Sequence, residues 1–89
     1  MNSSKSWTLK IRDDVYKVLA KFPGDDRKRV VRVLESLPTN PLVGDIQRMK
    51  GEKNSWRRRV GAYRIFYELI PEERVVYVSR VERRTSSTY

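Results

Sequence analysis

The sequence contains no cysteine and no histidine. The absence of cysteine excludes disulfide bonds, thiol nucleophiles and cysteine-based zinc sites. The absence of histidine removes the usual general acid or base at neutral pH and the commonest metal ligand. Any catalysis must therefore use lysine, arginine, tyrosine, carboxylate or backbone groups. We accordingly expect no metal ion and no other cofactor.

Long apolar runs are also missing. No stretch approaches the roughly 20 apolar residues that a membrane-spanning helix requires, and the polar residues 1–6 do not form a secretory signal. We therefore expect a cytoplasmic protein that makes no membrane contact. With 89 residues, 38% of them hydrophobic, the chain is expected to form a single domain over residues 1–89 with two packed layers.

Positive charge is what the sequence has in excess. It carries 20 lysine and arginine residues against 11 aspartate and glutamate residues, for a net charge of +9, and 13 of the basic residues are arginine. Residues 48–89 carry a net +6 and residues 1–47 only +3. Arginine suits planar, bidentate recognition of phosphate. The expected partner is therefore a polyanion, either nucleic acid or an acidic protein.

The apolar pattern predicts the element order β-α-α-β-β-β. The predicted ranges are 7–12 for the first strand, 14–22 and 26–37 for the helices, and 56–60, 63–70 and 74–81 for the remaining strands. Aspartates at 13–14 and 25–26 are the expected N-caps. Residues 38–54 are expected to be mainly loop, with possible short order near 46–49. The predicted fold is an α+β domain, with a helix hairpin on one face of a four-stranded, mostly antiparallel sheet.

Side-chain alternation predicts a basic open face on this sheet. Arg57 and Arg59 share one face of their strand, and Arg64 shares it if Val60 and Ile65 lie in the core. Several guanidinium groups around one concavity suit a phosphodiester, because they neutralise the charge that develops in its transition state. An RNA substrate would supply its own nucleophile, the 2′-hydroxyl. A solvated basic surface, or a face that binds without catalysis, is the plainer interpretation of the same pattern.

The segment from Trp56 to Glu68 resembles the central signature of the RelE/ParE toxin superfamily, which reads aromatic-Arg-x-Arg-Val-Gly-x-Tyr-Arg-Ile-x-Tyr. Residues 37–41, 49–51 and 75–81 resemble flanking segments of the same superfamily. The resemblance implies a small toxin of a type II toxin–antitoxin system with a RelE-like fold. It is nearest to the branch of ribosome-dependent mRNA endoribonucleases, which inhibit translation by metal-independent attack of the 2′-hydroxyl on the adjacent phosphate.

The resemblance also implies roles for particular residues. Arg57 and Arg59 would bind phosphate and assist deprotonation of the nucleophile, Arg64 would stabilise the transition state, Arg84 would help the leaving oxygen, and Tyr89 would stack on the substrate. Further contacts with RNA are expected from Arg58, Phe66, Arg83, Lys50 and Lys53. Spacing alone does not rank Arg83 against Arg84.

The implied partners are a cognate acidic antitoxin, mRNA in the ribosomal A site and rRNA, with operator DNA bound only through the antitoxin. Two alternatives remain open from the sequence. One is a ParE-like protein that inhibits DNA gyrase and cleaves nothing, and the other is a non-toxic relative that binds an acidic partner or nucleic acid. The presence of Arg57, Arg59, Arg84 and Tyr89 together favours the nuclease.

Overall fold

The computed structural model describes residues 6–51 and 53–84, which fold into two helices and one sheet. In chain order the elements are β1 (Thr8–Ile11), α1 (Asp13–Ala20), α2 (Gly24–Ser36), β2 (Ile46–Arg48), β3 (Ser55–Val60), β4 (Tyr63–Ile70) and β5 (Val75–Arg83). The α+β class and the helix pair against a sheet are confirmed. The predicted number of strands is wrong, because the sheet has five strands among the described residues rather than four.

The additional strand is β2, which pairs antiparallel with β3. Backbone hydrogen bonds extend this pairing at both ends, from the Arg59 N–H to the Asp45 carbonyl at 2.9 Å and from the Met49 N–H to the Ser55 carbonyl at 2.8 Å. The three residues of β2 have no alternating apolar pattern of their own. Their conformation depends on β3, so the short order expected near 46–49 is in fact a strand at the sheet edge.

The spatial order of the strands is β1-β5-β4-β3-β2. All neighbouring pairs are antiparallel except β1 and β5, which run parallel. The first and last strands of the described chain are therefore neighbours. Neither helix of the described residues has the length and apolar character needed to cross a membrane.

The core lies between the helices and one face of the sheet. Val30 and Leu34 of α2 are 0% and 2% exposed, and they belong to the same apolar cluster as Ile65 and Tyr67 of β4. Val15 and Leu19 are the buried residues of α1. The buried positions of both helices recur at helical spacing, as the sequence predicted.

The helix boundaries and caps differ from the prediction. The N-cap residues are Arg12 and Pro23, and neither helix has a side-chain hydrogen bond at its N-cap. Pro23 lies outside α2 because its ψ of 148° is extended, although its φ of −54° is within the helical range, and its carbonyl accepts the first helical bond from Arg27. The aspartates expected to be N-caps lie in the first turn of each helix instead, where their charge favours the positive end of the helix dipole.

A β-bulge interrupts the pairing of β4 with β5. Phe66 pairs with Arg80, but the next residue, Tyr67, pairs with Val78. Ser79 is therefore the extra residue, and its hydroxyl lies 3.4 Å from the Phe66 carbonyl. The bulge resets the alternation of β5, so that Val78 and Val81 both face the core and Arg80 is exposed.

Candidate functional site

A depression on the open face of the sheet collects the arginines that the sequence singled out. It has a volume of about 360 Å³. Its lining residues are Asp45, Gln47, Arg57, Arg59, Arg64 and Arg84. We call this site the arginine pocket. It lies on the side of the sheet opposite the helices, because the core residues Val60 and Ile65 alternate with the arginines along β3 and β4.

Strand register brings the arginines together. Arg59 and Arg64 are directly paired across β3 and β4, and Arg57 lies two residues further along β3 on the same face. Arg84 follows β5, and its backbone N–H donates to the Ala62 carbonyl at 2.6 Å in the turn between β3 and β4. Four guanidinium groups, from two strands and the end of a third, therefore surround one concavity.

Two acceptors from the β2 edge orient the arginines of β3. The Asp45 carboxylate lies 3.1 Å from Nε of Arg59, and both side chains are more than half exposed. The Gln47 side-chain carbonyl accepts a hydrogen bond from Nη2 of Arg57. Asp45 is the one carboxylate among the lining residues, so the pocket has a clear excess of positive charge. Such a site attracts a phosphodiester and stabilises the additional negative charge of its transition state.

The structure distinguishes Arg84 from Arg83. Arg83 pairs with Tyr63, whose ring is in the core, so the side chain of Arg83 is on the helix side of the sheet. Burial and the 2.8 Å hydrogen bond from its hydroxyl to Asp26 raise the pKa of Tyr63, and the positive charges of Arg83 and Arg29 partly offset this rise. Arg83 therefore belongs to the helix face, whereas Arg84 lines the arginine pocket.

Arg58 also lies outside the pocket. Its Nη1 donates to the Val43 carbonyl at 2.7 Å, and its guanidinium packs against Gly44. Nε of Arg58 is buried and has no hydrogen-bond partner. Nearby, the Tyr67 hydroxyl donates to the Pro41 carbonyl, and burial raises the pKa of Tyr67 to about 12 against a smaller opposing effect of Arg58. Arg58 thus holds the segment that leads into β2.

The remaining predicted contacts are dispersed. Phe66 is on the open face, but it is only 8% exposed because the Arg80 guanidinium lies 4.2 Å from its ring centroid. Lys50 lines a second depression beside the arginine pocket, and Lys53 is exposed in the loop between β2 and β3. Tyr89 lies outside the described residues. Asp45, Gln47 and Arg80 also lie along these two depressions, and the sequence pattern did not predict them.

We find no group of three or more acidic side chains placed to hold a metal ion within residues 6–51 and 53–84. Two carboxylates beside the arginine pocket are paired with arginines instead. Asp45 pairs with Arg59, and Glu82 lies 3.9 Å from Arg64 and 3.5 Å from Arg80. The arrangement of these side chains is suited to an anion.

Comparisons with known proteins agree with this architecture. The sequence profile of the family described as "ParE toxin of type II toxin-antitoxin system, parDE" matches residues 6–87. A Methanocaldococcus jannaschii protein designated a candidate toxin, RelE1, is 30% identical over 81 residues, which are 88% of this chain and 90% of that protein.

Solved structures show the same fold. The RelE–RelB complex of Pyrococcus horikoshii matches with a TM-score of 0.81 and 22% identity, covering 92% of this chain and 99% of that chain. The RelB–RelE antitoxin–toxin complex of Methanococcus jannaschii matches with a TM-score of 0.70 and 29% identity, covering 84% of this chain and 90% of that chain. Because the family profile spans nearly all of the sequence and the archaeal relative reaches 30% identity, the chain belongs to the RelE/ParE superfamily of type II toxin–antitoxin toxins.

Proposed function

We propose that this protein is a toxin that cleaves mRNA on translating ribosomes and is held inactive by a cognate antitoxin. The observation that carries the proposal is the convergence of Arg57, Arg59, Arg64 and Arg84 on one depression. Nuclease activity of this kind needs positive charge around a scissile phosphate, and the pocket supplies it without a metal ion. The site of action would be the cytoplasm, and rRNA would lie against the rest of the basic surface.

In the proposed reaction, the 2′-hydroxyl gives its proton to solvent water as its oxygen attacks the neighbouring phosphorus, and the proton taken up by the leaving oxygen also comes from water. The bond from phosphorus to the 5′-oxygen breaks, and that oxygen takes up a proton, which leaves a 2′,3′-cyclic phosphate and a 5′-hydroxyl. Arg57 and Arg59 bind the phosphate and favour the deprotonated nucleophile by their charge. Arg64 stabilises the phosphorane-like transition state, and Arg84 stabilises the departing oxygen. Tyr89 remains the proposed stacking partner of the substrate.

The proposed antitoxin is an acidic protein that covers the arginine pocket. Crystal structures of the related toxins from Pyrococcus horikoshii and Methanococcus jannaschii contain their RelB antitoxins. The net charge of +9 favours fast association with an acidic segment, which would compete directly with RNA for the four guanidinium groups. Binding to operator DNA would occur through the antitoxin.

The test is primer extension on an mRNA incubated with translating ribosomes and the purified protein. The wild-type protein should produce cuts at codon-spaced positions. Arg64→Ala should reduce cleavage by about 10²-fold or more, as expected for the loss of one transition-state donor. Arg32→Ala is the matched control, because it removes the same charge from an exposed position of α2 far from the pocket. Equal cleavage by Arg64→Ala and wild type would contradict the proposal.

The second candidate function is inhibition of DNA gyrase without cleavage. The match of residues 6–87 to the ParE toxin profile is the observation that favours it. Growth arrest on expression without mRNA cuts would support this function, and a DNA supercoiling assay with purified gyrase would then show inhibition. Cleavage that depends on Arg64 would exclude it as the main activity.

A further inference from the structure

A second depression, of about 380 Å³, lies beside the arginine pocket on the same face of the sheet. Its lining includes Met49, Lys50, Trp56, Phe66, Glu68 and Arg80. We call it the flanking depression. Phe66 is paired with Arg57 and lies two residues along β4 from Arg64, a displacement of about 7 Å. An RNA strand whose phosphate occupies the arginine pocket therefore brings the next nucleotide over the flanking depression.

Arg80 lies over the ring of Phe66 in the flanking depression. Its guanidinium carbon lies 4.2 Å from the ring centroid of Phe66, which is within the range of a favourable cation–π contact. The Phe66 ring is only 8% exposed, so it has little surface left to contact a base itself. The Arg80 side chain, in contrast, is 60% exposed. The guanidinium therefore lies over the ring while more than half of the Arg80 side chain remains open to solvent.

A carboxylate constrains the same guanidinium from the side. Oε1 of Glu82 lies 3.5 Å from Nε of Arg80, and Oε2 of Glu82 lies 3.9 Å from Nη1 of Arg64. A single exposed ion pair stabilises little. Here, however, Glu82 and Phe66 act on Arg80 from two directions, and Glu82 connects it to an arginine of the pocket. Arg80 is thus preorganised relative to the site of the scissile phosphate.

We propose that Arg80 is a stacking platform for the nucleobase next to the scissile phosphate, with a preference for purines. The proposal rests on the nuclease function proposed above. Guanidinium planes stack on unpaired RNA bases, and a plane already fixed on an aromatic ring loses less freedom on binding. A purine covers more of the plane than a pyrimidine does. Phe66 is accordingly a positioning residue that supports Arg80, instead of the direct RNA contact expected from the sequence.

The experiment measures the binding of an adenine trinucleotide whose 2′-hydroxyls are methylated, so that it cannot be cleaved. Dissociation constants are obtained by NMR titration at low salt, for this RNA and for versions that lack one base. For the wild type, removal of one particular base should weaken binding about tenfold, in keeping with the contribution of a stacked base. Replacing that adenine by uracil should weaken binding by a smaller factor. For Arg80→Ala, the RNA with the base and the RNA without it should have the same dissociation constant.

Two variants separate stacking from charge. Arg80→Lys keeps the charge but lacks the plane, so it should lose the dependence on the base. Arg32→Ala loses a charge elsewhere and should keep the dependence. The stacking proposal would be overturned if binding to Arg80→Ala still depended on the base as in the wild type. It would also be overturned if Arg80→Ala weakened the binding of the intact RNA and of the RNA without the base equally. If RNA binding depends on the base through Arg80 but the protein does not cleave mRNA on ribosomes, the stacking proposal stands and the nuclease proposal is rejected. If the protein cleaves mRNA but binding does not depend on the base through Arg80, the nuclease proposal stands and the stacking proposal is rejected.

Discussion

Arg58 lies on the opposite face of the sheet from the arginines on either side of it and contacts a different part of the chain. Arg57 and Arg59 face the arginine pocket, while Arg58 crosses to the helix side and donates to the Val43 carbonyl. Its guanidinium occupies the space next to Gly44, where an added Cβ would lie 2.4 Å from Cζ of Arg58. Since Gly44 immediately precedes Asp45, this contact fixes the position from which the Asp45 carboxylate reaches Arg59.

We expect Gly44→Ala to lower the free energy of unfolding more than Gly51→Ala does. Both glycines have a positive φ, +102° at Gly44 and +82° at Gly51, so both substitutions introduce backbone strain of roughly 1–3 kcal/mol. Only at Gly44 must the new Cβ also displace the Arg58 guanidinium, because nothing lies within 4 Å at Gly51. The added loss should be about 1 kcal/mol, measured by urea denaturation. Equal losses would show that Arg58 moves aside freely.

At the scale of elements, α2 contributes the deepest helical residues to the core. Leu34 is 2% exposed and belongs to the cluster that contains Ile65 and Tyr67. Leu34→Ala should lower the free energy of unfolding by about 2–5 kcal/mol, because it removes buried methyl groups and leaves a cavity. Leu42→Ala is the control. Leu42 is 51% exposed, so its substitution should lower the free energy of unfolding by less than about 0.5 kcal/mol. A similar loss in both variants, measured by denaturation, would contradict this packing.

The sequence predicted the long elements because their apolar periodicity is local. It did not predict β2, whose pairing depends on β3, nor the start of α2, which begins directly after Pro23 and two residues before the predicted start. The strand β5 also runs two residues past the predicted end, because Glu82 and Arg83 pair with β4. For β2 and for the end of β5, the missing information is a contact with a residue distant in sequence.

Part of the candidate site was also predictable from the local sequence pattern, and part was not. The convergence of Arg57, Arg59 and Arg64 followed from strand alternation, because the three residues lie on adjacent strands joined by a tight turn. Asp45 and Gln47 were missed because they reach the pocket only through β2. Arg80 was missed because regular alternation after Val78 would place it in the core. The spacing of the valines at 76, 78 and 81, with a step of three at the end, was the available signal of the bulge.

At the scale of the whole molecule, positive charge should govern RNA binding. If the four arginines of the pocket each neutralise a phosphate contact, the logarithm of the binding constant should fall with the logarithm of salt concentration with a slope of about −3. Arg59→Ala should make this slope shallower by about 0.7, whereas Arg32→Ala should leave it unchanged. Titrations of a short single-stranded RNA at several salt concentrations provide the measurement. An identical change of slope in both variants would indicate unspecific attraction by the net charge.

The stability of the fold should decrease in alkaline solution. Burial raises the pKa of Tyr67 from 10 to about 12. Between pH 10 and pH 12 the unfolded chain therefore loses this proton while the folded chain retains it, so the free energy of unfolding falls as the pH rises. The loss from this group should be about 2 kcal/mol across that window, and it is absent below pH 10.

Urea denaturation at a series of pH values checks this expectation. Tyr67→Phe should lower stability at neutral pH, because the hydrogen bond to the Pro41 carbonyl is lost, and it should also flatten the alkaline decrease. Tyr16→Phe changes a phenol that is 56% exposed and should keep the decrease. An unchanged alkaline slope in Tyr67→Phe would assign the decrease to other groups, with Tyr63 the next candidate because its pKa is also raised.

The parallel pairing of β1 with β5 has a consequence for the folding of the protein during its synthesis. Among the described residues, β1 precedes the other strands and pairs with β5, which follows them, and loop closure over this separation slows completion of the sheet. Arg84, which follows β5 directly, enters the pocket at the same late moment. A nascent or prematurely terminated chain that lacks β5 therefore has neither a finished sheet nor an assembled set of arginines. The four arginines therefore surround one pocket only after β5 has joined the sheet.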